Sequence, residues 1–230
     1  MESLKQTKSD QTIIDKSRFD LEELKKFRRW MHQNAELSFE EFNTKNKILE
    51  FLKNSGIDSS QIRELAKTGL IVTLKGKAEP KGEPFTIALR ADMDALPMKE
   101  CSNHEYKTVT NAAHLCGHDG HTTCVLGALS LIQAKLEVIP SNKTVKLFFQ
   151  PAEENYGGAH QIVKEGGLEG VDEIYGMHNY PTRLPELKGV KILVKGGDFM
   201  SECVEVRIKV KNTKFKNTST QTHRILIFFR

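Results

Sequence analysis

Apolar residues recur at helical spacing twice near the start of the chain. Leu21, Leu24, Phe27, Trp30 and Met31 form one stripe; Phe42, Leu49 and Leu52 form a second, and Gly56 supplies a stop. Both stripes are expected to face a core. The pattern then changes to short apolar runs, "GLIVTLKG", "PFTIALRA", "TVKLFFQ" and "DEIYGMHN", which read as strands. Two helix-like stretches fall among them, "HTTCVLGALSLIQAKL" and "GGAHQIVKEGG". Strands alternating with helices predict an α/β layer fold with a largely parallel sheet. Further on, "GVKILVKGG" and "FMSECVEVRIKVK" are strand-like again. The last stretch, "NTKFKNTSTQTHRILIFFR", reads as neither a clean helix nor a clean strand. Its bland reading is a frayed tail. Sparse basic charge, with no acidic residue after Glu205, also allows an anionic partner there. Residues 1–17 read as a mobile polar leader.

Composition narrows the class. The 230 residues suffice for one large domain or two small ones. An apolar share of 38% and a charged share of 28% are those of an ordinary globular protein. The net charge of +4 is too mild to imply a nucleic-acid partner. No run approaches the roughly 18 to 20 apolar residues of a membrane span, and "MESLKQTKSDQTIID" has no apolar signal segment. Cys101, Cys116, Cys124 and Cys203 form no CxxC pair, which favours a reducing compartment. The expectation is a cytoplasmic protein with no nucleic-acid or membrane partner.

Candidate chemistry gathers at the ends of the predicted strands. In an open α/β sheet, ligands bind outside the carboxyl ends of the strands. "PFTIALRA" is followed by "DMD", carrying Asp92 and Asp94. "TVKLFFQ" is followed by "PAEE", carrying Glu153 and Glu154, and "DEIYG" by "MHN", carrying His178. The stretch "HLCGHDGH" adds Cys116, His118, Asp119 and further histidines in a loop that opens a helix. Each has an ordinary alternative. Cys116 alone is a small hydrophobe, paired glutamates usually face solvent, and Asp92 and Asp94 can cap a strand end. Their convergence on one edge argues for a site. Cys116 and His118, separated by a flexible glycine, can reach one cation. Of two adjacent carboxylates, one can bind a metal while the other takes a proton from water activated by it. A Cys–His covalent pair is the rival, less favoured among so many carboxylates.

The segments "ALRADMDALPM", "HLCGHDGHT", "FFQPAEENYGGA" and "GMHNYP" occur in an order and spacing that resemble the M20 metallopeptidase family. The likeness is to its amidohydrolase branch, which cleaves N-acyl amino acids, hippurate-type substrates and auxin–amino acid conjugates. "RRWMHQNAELSFEEFNT" resembles the opening of that branch. The resemblance implies a zinc-peptidase-like α/β/α catalytic domain with an inserted ferredoxin-like lid, and two divalent ions, zinc or manganese. By resemblance Cys116, His118, Glu154 and His178 are metal ligands and Glu153 is the general base. Asp94 stands behind the ligands, and Asp119 supports the site. The substrate is a small amide, and a homo-oligomer is expected. The implied domains are residues 18–198 for the N-terminal part of the catalytic domain and 199–211 for the start of the lid. The stretch 212–230 then stands as an aberrant basic tail. "KNTKFKNTSTQTH" stands in place of the "GKGGHGS..PH" segment of the family. The resemblance also implies a returning part of the catalytic domain with a last ligand histidine that these residues do not include, so the second metal site is expected to be incomplete, with His223 no substitute.

Overall fold

The computed structural model describes residues 20–155, 157–179, 202–211 and 220–229. The first stripe is helix α1, Leu21–Gln33. Asp20 caps it, its carboxylate accepting the amides of Glu22 and Glu23 at 2.8 and 3.1 Å. The second is helix α2, Phe42–Asn54, which stops ahead of Gly56 at φ +78°. Two positions depart from expectation. Leu21 and Phe42 each open a helix and lie exposed. The buried faces are Leu24, Phe27 and Met31 on α1, and Thr44, Ile48, Phe51 and Leu52 on α2. They meet where Phe27 and Phe51 pack edge to face at 5.7 Å.

A 3₁₀ turn, Ser59–Gln61, leads into β1, Ile62–Leu65. Next come β2 (Gly69–Lys75), β3 (Phe85–Asp92), helix α3 (His118–Gln133), β4 (Lys143–Gln150), helix α4 (Gly158–Lys164) and β5 (Glu173–Gly176). Every predicted strand up to this point exists; β1 was not foreseen, since "IREL" offers only one buried residue, Leu65. The helix of "HTTCVLGALSLIQAKL" begins three residues early, at His118, because Gly117 takes a left-handed φ of +95° and starts the turn.

The sheet order is β1-β2-β4-β3-β5, and it is mixed rather than largely parallel. β3 runs parallel to both β4 and β5, while β2 runs antiparallel to β1 and β4. The reason is connection length. Only Ala66, Lys67 and Thr68 join β1 to β2, enough for a hairpin but not for a crossover. Helix α3 spans the gap between β3 and β4 and so permits parallel pairing. The main core lies between the sheet and the helices α1, α2 and α3, with Leu70, Leu74, Leu126, Leu129, Leu147 and Phe149 fully buried.

The chain divides into two units, with the boundary between Tyr180 and Pro181. Within the second, β6 (Glu202–Lys211) and β7 (Thr220–Phe229) pair antiparallel, from Glu202 opposite Phe229 to Lys211 opposite Thr220. The tail read as neither helix nor strand is therefore a strand over its last ten paired residues. Its β-branched and aromatic run "ILIFF" suits that geometry once a partner strand is present. The leader at 1–17, the "GVKILVKGG" segment and the lid boundary near Phe199 lie outside the described residues.

Candidate metal centre

Three parallel strands deliver the site. Asp92 ends β3 and Asp94 follows it; Pro151 to Glu154 follow β4; His178 lies two residues beyond β5. The loop before α3 brings Cys116, and the first residue of α3 is His118. These are the strand ends picked out by the apolar pattern, and they meet.

His118 is at the centre and wholly buried. Its Nδ1–H donates to the backbone carbonyl of Asp94 at 2.9 Å, with the Asp94 carboxylate at 3.3 Å. That assignment leaves Nε2 with a free lone pair. Nε2 faces Asp92 Oδ2 at 3.6 Å, Glu154 Oε1 at 3.7 Å and Glu153 Oε2 at 3.8 Å, and has no hydrogen-bond partner. Glu154 Oε1 and Asp94 Oδ1 are also buried without partners. A nitrogen lone pair ringed by carboxylates is a costly arrangement unless a cation stands among them. On the other side Cys116 Sγ is 3.2 Å from His178 Nε2, and the His178 Nδ1–H donates to the Asn179 carbonyl at 2.6 Å. Two three-residue groups, Cys116–His118–His178 and His118–Glu153–Glu154, share His118, and each brings its ligand atoms within 4.8 Å of one another. The donor set of imidazole, thiol and carboxylate fits a divalent ion of the zinc or manganese kind.

The electrostatics agree with the geometry. Burial disfavours a charge on His118, but Asp94, Cys116 and Asp92 outweigh it and push its pKa up to about 11. The upward push comes from the negative groups gathered around the ring, the same surroundings that would attract a cation to Nε2. Burial raises Asp92, yet His121, His118 and Arg90 bring it down to about 2. Burial raises Glu154, with Glu153 adding to the rise, against the pull of His118. Of the two glutamates, Glu153 has the more open side chain, 35% exposed against 17% for Glu154.

Two supporting residues come from the segment between α1 and α2, which carries no candidate ligand. Ser38 donates to Asp94 Oδ2 at 2.6 Å, and the Glu154 amide donates to the same oxygen at 3.0 Å. The buried Glu41 accepts the Ala152 amide at 2.8 Å and the Thr68 hydroxyl at 2.5 Å. It thereby holds Ala152, at a left-handed φ of +51°, next to Glu153. Neither Ser38 nor Glu41 was assigned a role from sequence, although both lie in "ELSFEEF". Asp119 turns away from the centre toward α1, where His32 Nδ1 lies 3.0 Å and Arg28 Nε 3.2 Å from Oδ2. A separate group, His32, Glu100 and His104, also brings its ligand atoms close together.

A family model described as peptidase family M20/M25/M40 matches residues 88–224. The chain belongs to this family. It is 40% identical over 192 residues to hippurate hydrolase of Campylobacter jejuni, covering 82% of this chain and 46% of that protein. It is 37% identical over 185 residues to N-acetylcysteine deacetylase of Bacillus subtilis, covering 80% and 46%. Among solved structures, the Bacillus subtilis YXEP protein, a dinuclear metal-binding peptidase of the M20 family, superposes with a TM-score of 0.70 at 34% identity. That match covers 83% of this chain and 50% of the other. The chain thus spans about half the length of the relatives it matches. The matched residues of the M20 family model include every candidate ligand and both glutamates. No described helix is long and apolar enough to cross a membrane.

Proposed function

We propose that the chain contributes to a metal-dependent amidohydrolase that cleaves the amide bond of N-acyl amino acids or similar small conjugates. The observation that carries this reading is the buried, unpartnered His118 Nε2 facing Asp92, Glu153 and Glu154. Cys116, His118, Glu154 and His178 are the residues of this chain that would hold divalent ions, zinc or manganese, with the second of two metal sites incomplete. Such ions polarise a carbonyl and lower the pKa of water to about 7. Glu153, the more accessible carboxylate, takes the proton from the attacking water and returns it to the departing nitrogen. Asp94 keeps His118 in the tautomer whose Nε2 is free, and Ser38 keeps Asp94 in place. The hydrolase and deacetylase relatives support an amide substrate. The cytoplasm and a homo-oligomer remain part of the proposal.

The test is hydrolysis of N-acetyl and N-benzoyl amino acids by the purified chain with added Zn²⁺ or Mn²⁺, and with a chelator as control. Chelator-sensitive turnover is expected, and Glu153→Gln is expected to lower it by about 10²- to 10⁴-fold while the bound metal stays. Undiminished rate in that variant would remove Glu153 as the base. A folded, metal-loaded chain without turnover would favour the second reading, a non-catalytic metal-binding form.

A further inference from the structure

His121 lies one helical turn beyond His118, 2% exposed, and its ring stands 4.6 Å from that of His178. With Asp92 and His118 it forms a group close enough to hold an ion. Its two nitrogens are nevertheless already engaged. Nδ1 is 2.7 Å from Asp92 Oδ1, whose partner oxygen is bound by Arg90 at 2.7 Å. A carboxylate on Nδ1 fixes the proton there and leaves Nε2 as an acceptor. Nε2 receives the backbone N–H of Asn179 at 2.9 Å; the Asn179 side-chain amide turns its Oδ1, an acceptor, to the same nitrogen at 2.8 Å and adds no bond in this tautomer. Asn179 directly follows His178, so this grip sets the backbone that carries the His178 ring. The same amide fills the space over Gly117. A Cβ built there would sit 2.2 Å from it, and Gly117 joins Cys116 to His118.

We infer that His121 is a positioning residue, not a metal ligand: through Asp92 on one nitrogen and Asn179 on the other it latches the post-β5 loop, setting His178 against Cys116. The inference rests on the reading of His178 as a ligand. The latch itself is tested without that reading.

Two amide substitutions divide the ring's functions. In His121→Asn the amide reaches the Nδ1 position and keeps Asp92 but not Asn179. In His121→Gln it reaches the Nε2 position and keeps Asn179. The first readout is the Asn179 amide proton of the metal-free full chain by NMR. Its hydrogen-bonded shift and slow exchange are expected to be lost in His121→Asn and kept in His121→Gln. The second is competition of Zn²⁺ against a chromophoric chelator. Affinity is expected to fall about 10- to 100-fold in His121→Asn at unchanged stoichiometry, and to recover largely in His121→Gln. If His121→Asn does not fold, Asn179→Pro, which deletes the donor at an exposed position, takes its place in the Zn²⁺ competition with the same expected loss of affinity. An Asn179 resonance unmoved in His121→Asn overturns the latch. An intact latch signal with stoichiometry lowered in both His121 variants shows His121 to be a ligand and overturns the inference. A parent chain that binds no Zn²⁺ but shows the Asn179 signal lost and rescued retains the latch and refutes the metal reading alone.

Discussion

Two histidines in this molecule stand among carboxylates, and the difference between them separates a site from a scaffold. His118 has one nitrogen bonded and one bare, the bare one turned to three carboxylates at 3.6 to 3.8 Å. His32 has Asp119 at 3.0 Å on one nitrogen and Glu100 at 3.2 Å on the other, both at hydrogen-bond distance. Glu100 also accepts the Thr108 amide at 2.8 Å and a short hydrogen bond from Ser102, and pairs with His104 at 2.9 Å. Residue types are alike in the two clusters, and each has buried atoms without partners, Asp119 Oδ1 and His104 Nδ1 among those around His32; the central imidazole is matched on both nitrogens in one and on one nitrogen in the other. Both nitrogens of His32 meet a carboxylate at hydrogen-bond distance, whereas Nε2 of His118 meets none. The His32 network ties α1 to the first turn of α3 and to the loop before Cys116, so it supports the centre without belonging to it.

His118→Ala breaks the comparison at its strongest point. It leaves the carboxylates of Asp92, Glu153 and Glu154 facing one another, and metal binding at the centre is expected to vanish in a calorimetric titration. Retained binding at parental affinity would displace His118 from its role. His32→Gln is expected to leave metal stoichiometry unchanged and to cost about 2–3 kcal/mol in urea unfolding, because two buried carboxylates lose their shared cation.

That cost carries a pH signature. The hydrogen bond that His32 donates to Asp119 raises its pKa, against burial and with help from Glu100. A group raised on folding contributes its full stability below its unfolded value, 6.5, and loses it as pH rises through the folded value. The gap between parent and His32→Gln should therefore be widest below 6.5 and narrow above it. Asp119, Glu100, His104, Tyr106 and His114 stand around the ring and Arg28 pairs with Asp119, so the comparison is best made in an otherwise unaltered chain. A gap independent of pH would mean His32 is neutral in the fold. The smallest effect belongs to His104→Ala. Its side chain is 32% exposed, and stability should change by less than about 1 kcal/mol, with no change in metal content.

Much of this was legible along the chain, for reasons that are local. "PFTIALRA" and "TVKLFFQ" are apolar enough to be strands wherever they fall, and a strand end followed by "DMD" or "PAEE" places carboxylates at a sheet edge. The strands flanking the switch in direction were harder. "IREL" has too little apolar content to announce β1, and antiparallel pairing of β2 followed from a three-residue connection. In the second unit the "ILIFF" run became a strand because β6 offers it a full ladder of hydrogen bonds.

By itself, then, the sequence determined most of the elements of the first unit, β1 aside, the strand ends that carry chemistry, and the residue types able to bind a cation. These follow from hydrophobic period and side-chain type, properties each segment has on its own. Which histidine nitrogen is left bare, and which is already matched, was decided only by tertiary structure. Ser38, Glu41, Glu100 and Asn179 act on residues far from them in sequence, and a hydrogen bond exists only once folding brings both its partners within about 3 Å.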